Sequence, residues 1–112
     1  MSWPPKELSP NARVHWAKKS KAAKAYRAEA FYKTKQALDE WHAFAGAYKF
    51  NVKFYPPDKR RRDDDNLIAQ LKPARDGIAD ALGIDDSQFT IGQPKISDEL
   101  GGIVEIIVEE IK

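Results

Sequence analysis

The stretch from residue 60 to residue 66, Arg-Arg-Arg-Asp-Asp-Asp-Asn, brings three cations directly against three carboxylates. Carboxylates this dense repel one another unless a cation lies among them. Mg²⁺ takes oxygen ligands, usually one or two carboxylates together with the phosphates of a substrate. Arginine binds phosphate well because its guanidinium group donates to two oxygens at once. Metal-binding acids beside phosphate-binding bases therefore predict chemistry on a phosphodiester.

Asp63 and Asp65 are the first candidate metal ligands. They are two residues apart, and on extended backbone both carboxylates project to the same side and could share one ion. Asp65 or Asn66 can instead cap a helix, where these residue types satisfy N–H groups that lack a partner in the first turn. Capping requires only one such residue, whereas a second acidic pair, Asp85-Asp86, follows about twenty residues later. On the residues alone, both interpretations stay open.

Charge is divided sharply along the chain. Residues 1–62 carry 15 Lys/Arg against 5 Asp/Glu, a net charge of +10, whereas residues 63–112 carry 4 against 12, a net charge of −8. A basic half of this kind favours binding to a polyanion such as nucleic acid. The candidate DNA-binding cations are Lys18, Lys19, Lys21, Arg60, Arg61 and Arg62.

The bulk properties exclude several classes of protein. At 112 residues the chain predicts one domain, residues 1–112, with a modest core. The absence of cysteine excludes disulfides and thiolate-bound metals. No apolar run reaches the roughly 18 residues that span a bilayer, and no signal-peptide pattern is present, so we expect a cytoplasmic protein without a membrane partner. His15 and His42 lack ligand-like spacing and are expected at the surface or in packing.

Two helices must position these residues. The first is predicted from about Ala17 to Ala45, with an apolar stripe and a basic outer face, and Gly46 is its expected stop. The second should run from near Asn66 to Leu82 and close at Gly83. Pro73 lies within it and removes one backbone hydrogen bond, which predicts a kink or a restart.

Three strands complete the prediction. Residues 48–54 alternate apolar and polar side chains, as a half-buried strand does, and Pro56-Pro57 ends that strand. Residues 89–96 and 103–111 are predicted as two further strands, joined by a hairpin at Gly101-Gly102. Pro94 places the earlier of these at a sheet edge or in a bulge. We therefore expect an α+β fold in which a small mixed β-sheet packs against two main helices.

The pattern resembles the RusA family of Holliday junction resolvases, which are small dimeric endonucleases of phages and prophages. The resembling residues occur in the family's order along most of the chain: Trp3-Pro4-Pro5, Asn11 with Arg13, residues 60–67, and Asp85-Asp86-Ser87-Gln88. The resemblance implies a RusA-like homodimer that cuts four-way DNA junctions by paired, symmetric incisions, using Mg²⁺ and leaving 5′-phosphates. Mn²⁺ is an expected substitute because all the ligands are oxygen.

The resemblance also assigns roles to individual residues. The family's catalytic, metal-binding carboxylates match Asp63, Asp65 and Asp86. Arg62 matches a flanking basic residue, and Asn11 with Arg13 matches an element expected to contact DNA. The family's lysine position holds Ala69 here, so the catalytic-lysine role is carried to Lys72, about one helical turn further on the same face. Relatives usually have a strand before Trp-Pro-Pro, whereas only Met1-Ser2 precede Trp3 here.

One distance constrains this interpretation. A continuous helix over residues 66–82 is about 25 Å long, at roughly 1.5 Å per residue, so Asp86 would lie too far from Asp65 to share an ion within one chain. Either the helix breaks at Pro73, or Asp86 reaches the site from the second subunit of a two-fold dimer, which suits a junction of near two-fold symmetry. We favour the composite site.

Two other functions remain alternatives. A non-catalytic phage DNA-binding regulator would use the basic helix and show salt-dependent binding without any need for Mg²⁺. A metal-dependent nuclease for other branched DNA would share the chemistry but not the substrate. Most aromatic residues of the first helix are expected in the core, and Trp16, beside Arg13 and Lys18, is the one whose role is left open.

Overall fold

The computed structural model of the chain describes residues 1–10, 12–37, 47–60, 64–85, 89–92 and 94–111. Its elements are a short 3₁₀ helix (Lys6–Leu8), α1 (Trp16–Ala37), β1 (Ala47–Tyr55), α2 (Asp64–Leu82), β2 (Phe89–Ile91), β3 (Lys95–Ile96) and β4 (Ile103–Ile111). The predicted α+β class is confirmed, with two main helices and a small mixed sheet. No helix in the described ranges is long and apolar enough to cross a lipid bilayer.

β1 is the central strand, and its alternating residues separate the core from the solvent. The side chains on its inner face are buried: Tyr48, Phe50, Val52 and Phe54. The residues between them are polar or half-buried, as the period of two requires. The strand predicted over residues 48–54 is therefore confirmed, and it ends at Tyr55, directly before Pro56-Pro57, as expected.

The pairing of β1 makes the sheet mixed. β4 runs antiparallel to β1 along its whole length, from Ala47 opposite Ile111 to Tyr55 opposite Ile103. β2 and β3 pair with β1 in parallel, Phe89 opposite Tyr48 and Lys95 opposite Lys53. The predicted hairpin between the last two strands is wrong, because β3 and β4 both pair with β1 and lie on opposite sides of it.

The segment 97–102 crosses the C-terminal end of β1 and joins β3 to β4. Ser97 donates its backbone N–H to the Phe54 carbonyl at 2.8 Å, and Gly101 donates to the Pro56 carbonyl at 2.9 Å. Gly102 adopts a φ of 67°, a conformation that glycine takes without steric strain. The glycine pair therefore serves a crossover. The strand predicted over residues 89–96 is two strands, interrupted beside Pro94, which cannot donate to the ladder.

The first three residues run along the outer edge of β4. The Met1 ammonium donates to the Val104 carbonyl at 2.8 Å, and the Val104 N–H donates back to the Met1 carbonyl at 2.8 Å. Trp3 donates to the Gly102 carbonyl at 3.2 Å. These bonds cover the start of an edge strand, a position where backbone groups otherwise stay open to pairing with another chain.

Both helices pack on the inner face of the sheet. α1 contributes Tyr26 and Ala30 to the core, and the Tyr26 hydroxyl donates to the Ser2 carbonyl at 2.8 Å. α2 contributes a longer apolar stripe, made of Leu67, Leu71, Ala74, Ile78 and Leu82. The first helix begins at Trp16, one residue before its predicted start. The rest of that predicted helix and its glycine stop, residues 38–46, lie outside the described residues.

α2 is continuous from Asp64 to Leu82, so the predicted restart at Pro73 is wrong. Proline cannot supply the N–H that the Ala69 carbonyl would receive four residues later, which weakens the helix locally. Buried side chains on both sides of the proline, Leu71 and Ala74, anchor both halves to the same core. Gly83 ends the helix with a φ of 69°, as predicted.

Gly77 of α2 lies directly against the backbone of α1, and this contact gives a stability prediction. A Cβ atom at Gly77 would overlap the Arg27 backbone carbonyl and come to 3.1 Å from the Ala30 Cβ. Gly77→Ala is therefore expected to lower the free energy of unfolding by about 2–3 kcal/mol, because backbone atoms must move. Urea denaturation measures this. Gly101→Ala, where a Cβ makes only ordinary contacts, should change stability by less than about 0.5 kcal/mol; equal losses for the two variants would contradict the packing argument.

Candidate metal and nucleic-acid site

Asp65 is an exposed residue in the first turn of α2. Because α2 begins at Asp64, Asp65 and Asn66 lie within the helix, so Asp65 has neither the N-cap position nor the extended backbone that the sequence left open for it. A carboxylate here is stabilised by the partial positive charge of the helix N-terminus. The predicted site residues of this run that lie outside the described residues are Arg61, Arg62 and Asp63.

One face of α2 carries the candidate acid and the candidate lysine. Asp65, Ala69 and Lys72 are separated by four and then three residues, so they lie above one another on the helix surface. All three are exposed. Lys72 is about 10 Å from Asp65 along the helix axis, at roughly 1.5 Å per residue.

The small side chain of Ala69 gives Lys72 access to the start of the helix. Helical side chains lean toward the N-terminus and cover the turn before their own Cα atom. The turn before Lys72 is the one that carries Ala69, where a methyl group occupies little space. A lysine ammonium at the end of its four-carbon stem can therefore approach a phosphate held near Asp65.

The second acidic pair follows the opposite end of α2. Asp85 is exposed and comes three residues after the last helical residue, Leu82. Asp65 and Asp85 are thus separated by the whole length of an unbroken helix, about 27 Å at roughly 1.5 Å per residue. The structure removes the alternative in which a break at Pro73 folds the two acids together. Asp86 itself lies outside the described residues.

The basic surface predicted for α1 lies beside this helix. Every predicted DNA-binding cation that the structure describes is exposed: Arg13, Lys18, Lys19, Lys21 and Arg60. The first turn of α1 contains no acidic residue. Arg60 is held next to Asp58, whose carboxylate accepts its backbone N–H at 2.9 Å and lies 3.6 Å from its Nε atom. Asn11 lies outside the described residues.

An ion pair links α1 and α2 at the surface. The Arg27 Nε atom donates to the Asp80 carboxylate at 2.7 Å, and this hydrogen bond raises the pKa of Arg27. Both side chains are about half exposed, so the pair contributes little to stability in water. The pair joins the two helices that carry Lys19 and Lys72.

The packing of the helices brings together two lysines that the sequence does not connect. Lys19 of α1 and Lys72 of α2 line one open groove, together with the ring of Trp16. Sequence reasoning left Trp16 open and gave no role to the groove. The available signal was an aromatic residue at the start of a helix whose next exposed residues are all basic or small. Arg75, to which the sequence gave no role, lines a small cavity with Lys72.

His15 lies at the surface, one of the two placements predicted for it. His15 is exposed, and its Nδ1 atom accepts the backbone N–H of Ala17 at 3.2 Å, which satisfies one donor of the first turn of α1. His42 lies outside the described residues. Among the side chains that the structure describes, no three of His, Asp or Glu form a group able to hold a metal ion.

Comparison with known proteins supplies a relative. An uncharacterized protein of Xylella fastidiosa is 44% identical over 112 aligned residues, which cover 96% of this chain and 71% of that protein. The chain belongs to the family of this Xylella protein. No family model matches the chain. The relative's description assigns no activity, so the membership establishes shared ancestry and fold, and function has to be argued from the site itself.

Proposed function

We propose that the chain is a Mg²⁺-dependent, structure-specific endonuclease of RusA type, acting as a homodimer on four-way DNA junctions in recombination and repair. The observation that carries the proposal is the shared face of α2, where an exposed carboxylate at residue 65 and an exposed lysine at residue 72 stand in line. Lys19 of α1 lines the same groove as Ala69 and Lys72 of this face. Acid, lysine and a basic surface are the parts that metal-assisted phosphodiester hydrolysis requires.

The donor set fits a hard divalent cation. Asp65, together with Asp63 and Asp86, would supply carboxylate oxygens to Mg²⁺, and water and substrate phosphate would complete its oxygen ligands. When bound, the ion supplies a water of lowered pKa and stabilises the departing oxygen. Lys72 places positive charge beside the phosphate, where negative charge grows in the transition state. Arg60, Arg61 and Arg62 would hold the neighbouring phosphates by bidentate hydrogen bonds.

A dimer resolves the distance between the acids. Each α2 carries Asp65 at its start, and the pair Asp85-Asp86 follows its end. In a two-fold dimer that sets the start of one α2 against the end of the other, the acids at the start of each α2 would lie beside the acids that follow the end of the partner's α2. Two equivalent sites result, one for each of the two strands that a junction resolvase cuts.

The proposal is tested with a labelled four-way junction and a linear duplex of the same sequence, each with and without Mg²⁺. We expect paired cuts near the branch point that leave 5′-phosphates, only with Mg²⁺ and only on the junction. Binding without any cutting would instead favour the regulator, whose affinity falls steeply with salt. Efficient cutting of flaps or linear duplex would contradict the junction specificity and favour a metal-dependent nuclease with another DNA substrate.

The role given to Lys72 yields a separate prediction. Lys72→Ala should lower the cleavage rate at saturating junction by about 10²-fold, because a cation beside the transition state is lost. Lys72→Arg should recover part of that rate, since the charge is kept. The matched control is Lys49→Ala, an exposed lysine on the helix-free face of the sheet. Equal rates for Lys72→Ala and Lys49→Ala would remove Lys72 from the site.

A further inference from the structure

An open groove lies between the start of α1, the 3₁₀ helix and the middle of α2. Its volume is about 580 Å³, which is within the range of roughly 300–1,000 Å³ for ligand sites. Its floor is apolar and includes Leu8, Ala23 and Pro73, and its rim carries Trp16, Lys19 and Lys72. An apolar slot with two cations at its rim is complementary to a flat, uncharged ring system attached to phosphates.

Trp16 presents a stacking surface to this groove. Its side chain is 75% exposed, which is unusual for the largest apolar residue type and shows that its ring is not part of the core. The His15 ring lies 5.5 Å away at an angle of 34°. Base stacking on an exposed aromatic ring is a standard way of holding single-stranded nucleic acid, because every base has a π-face.

The charges of the rim favour a nucleotide over other occupants. Lys19 and Lys72 come from different helices, so phosphates on both sides of one base can each meet an ammonium group. The exposed cations Arg13, Lys18 and Lys21 extend the positive surface along α1. An acidic peptide would also be attracted by these charges, but its acidic side chains have no aromatic ring to stack on Trp16.

Pro73 adds a polar feature to the apolar wall. Since proline has no N–H, the carbonyl of Ala69 lacks the donor that an ordinary residue at position 73 would supply. Both residues line the groove. A carbonyl acceptor of this kind can receive a hydrogen bond from any unpaired base, since every base, thymine included, carries an N–H on its pairing edge.

The groove is connected to the candidate metal site by the face of α2 that carries Asp65, Ala69 and Lys72. The roughly 10 Å between Asp65 and Lys72 along the helix axis corresponds to about three nucleotides of stacked DNA, at ~3.4 Å per nucleotide. A strand whose phosphate lies at Asp65 therefore passes the groove within a few nucleotides.

We propose that this groove receives one unstacked nucleobase from the branch point of the DNA, stacked on Trp16, with Lys19 at the phosphate on one side of the base and Lys72 on the other side, where the strand continues to the scissile phosphate. This inference rests on the proposed function and deepens it, because it names what distinguishes branched from linear DNA. Extruding a base from an intact duplex costs a few kcal/mol, and the cost is least where pairing is already disturbed. The groove therefore selects the branch point without reading its sequence.

The test measures binding without Mg²⁺ to a four-way junction, to linear duplex and to a short oligothymidylate, for the wild type and for Trp16→Ala. Loss of one stacked base should weaken binding to the junction and to the oligothymidylate by about 5- to 150-fold, and binding to linear duplex by far less. Trp16→Phe should recover most of the affinity. Tyr32→Ala is the matched control, since Tyr32 is a 65% exposed aromatic residue of the same helix outside the groove.

The salt dependence of binding distinguishes the stacking contribution of Trp16 from the phosphate contacts of the lysines. Trp16→Ala should leave the slope of log K against log salt unchanged, whereas Lys19→Ala should reduce its magnitude by about 0.7 to 0.9, the value of one lost phosphate contact. Because Trp16 and Lys19 are exposed, both variants are expected to fold, and circular dichroism verifies this.

The possible failures point to different errors. If the wild type cuts junctions and Trp16→Ala binds them as tightly, the groove proposal is wrong and the proposed function stands. An equal loss on linear duplex overturns the selectivity for branch points. If an oligoglutamate peptide binds in a Trp16-dependent way and the oligothymidylate does not, the groove is a protein-docking site and the proposal is wrong. A wild type that binds no junction overturns both proposals.

Discussion

Asp65→Asn is expected to lower the rate of Mg²⁺-dependent junction cleavage by about 10³-fold, equivalent to roughly 4 kcal/mol of transition-state stabilisation. The amide keeps the shape of the carboxylate but loses the charge that holds a divalent ion. Because the residue is exposed in the first turn of α2, the substitution should leave the fold intact. Single-turnover cleavage of a labelled junction measures the loss.

Binding measurements on the same variant distinguish a loss of catalysis from a loss of affinity for the junction. Without Mg²⁺, Asp65→Asn should bind the junction as tightly as the wild type or more tightly, because one negative charge near phosphate is removed. The matched control is Glu109→Gln, an exposed carboxylate on β4, far from α2 in the fold. Full activity in Asp65→Asn, or a loss of the same size in Glu109→Gln, would contradict the assignment of Asp65 as a metal ligand.

Mixing two inactive proteins is expected to restore activity if each site is built from both subunits. An Asp63→Asn subunit paired with an Asp86→Asn subunit combines both substitutions in one site and leaves the other site intact. Random reassortment makes about half of the dimers mixed, so roughly a quarter of the wild-type sites should be active. Refolding the two variants together, compared with each refolded alone, measures this.

The products of the mixed sample give a sharper reading than its rate. A mixed dimer has one competent centre, so it should nick one strand of a junction and not complete the paired incision. A site built within one chain would leave every mixed dimer with two damaged centres, and no activity would return. Mixing Asp63→Asn with Asp65→Asn is the control, because both substitutions damage the same half of the site and should not complement each other.

The elements of the fold could be predicted wherever local pattern and burial coincide. Alternation in residues 48–54 predicted β1 because that strand separates a buried face from a polar one. The helix ending at Gly83 was predictable since glycine is the residue that adopts positive φ most readily at a helix end. These signals are local, so no knowledge of the partner elements was needed.

Strand pairing could not be predicted in the same way. Residues 89–96 and 103–111 have the composition of neighbouring strands, and Gly101-Gly102 suits a hairpin. Instead the strands of both segments pair with β1, on opposite edges of it, and the segment that contains the glycines crosses its end. The restart predicted at Pro73 was wrong because tertiary packing decides this too: burial of Leu71 and Ala74 outweighs one missing hydrogen bond.

The candidate site was predictable in its chemistry and not in its arrangement. Residue types alone marked Asp65 and the basic side chains of α1. The proximity of Lys19 and Lys72 depends on how α1 packs on α2, where Gly77 lies against the Arg27 backbone and Arg27 pairs with Asp80. These contacts join residues about fifty positions apart, and no periodicity in the chain encodes them.

The account depends on aspartate oxygens that converge on one divalent ion within reach of DNA. Anomalous diffraction from crystals of the protein with Mn²⁺ and a junction tests this most directly. The account predicts a manganese peak within about 2.5 Å of carboxylate oxygens from Asp63 and Asp65 of one subunit, with Asp86 supplied by the other. Carboxylates at these positions that stay apart in every subunit arrangement, with no ion between them, would contradict it.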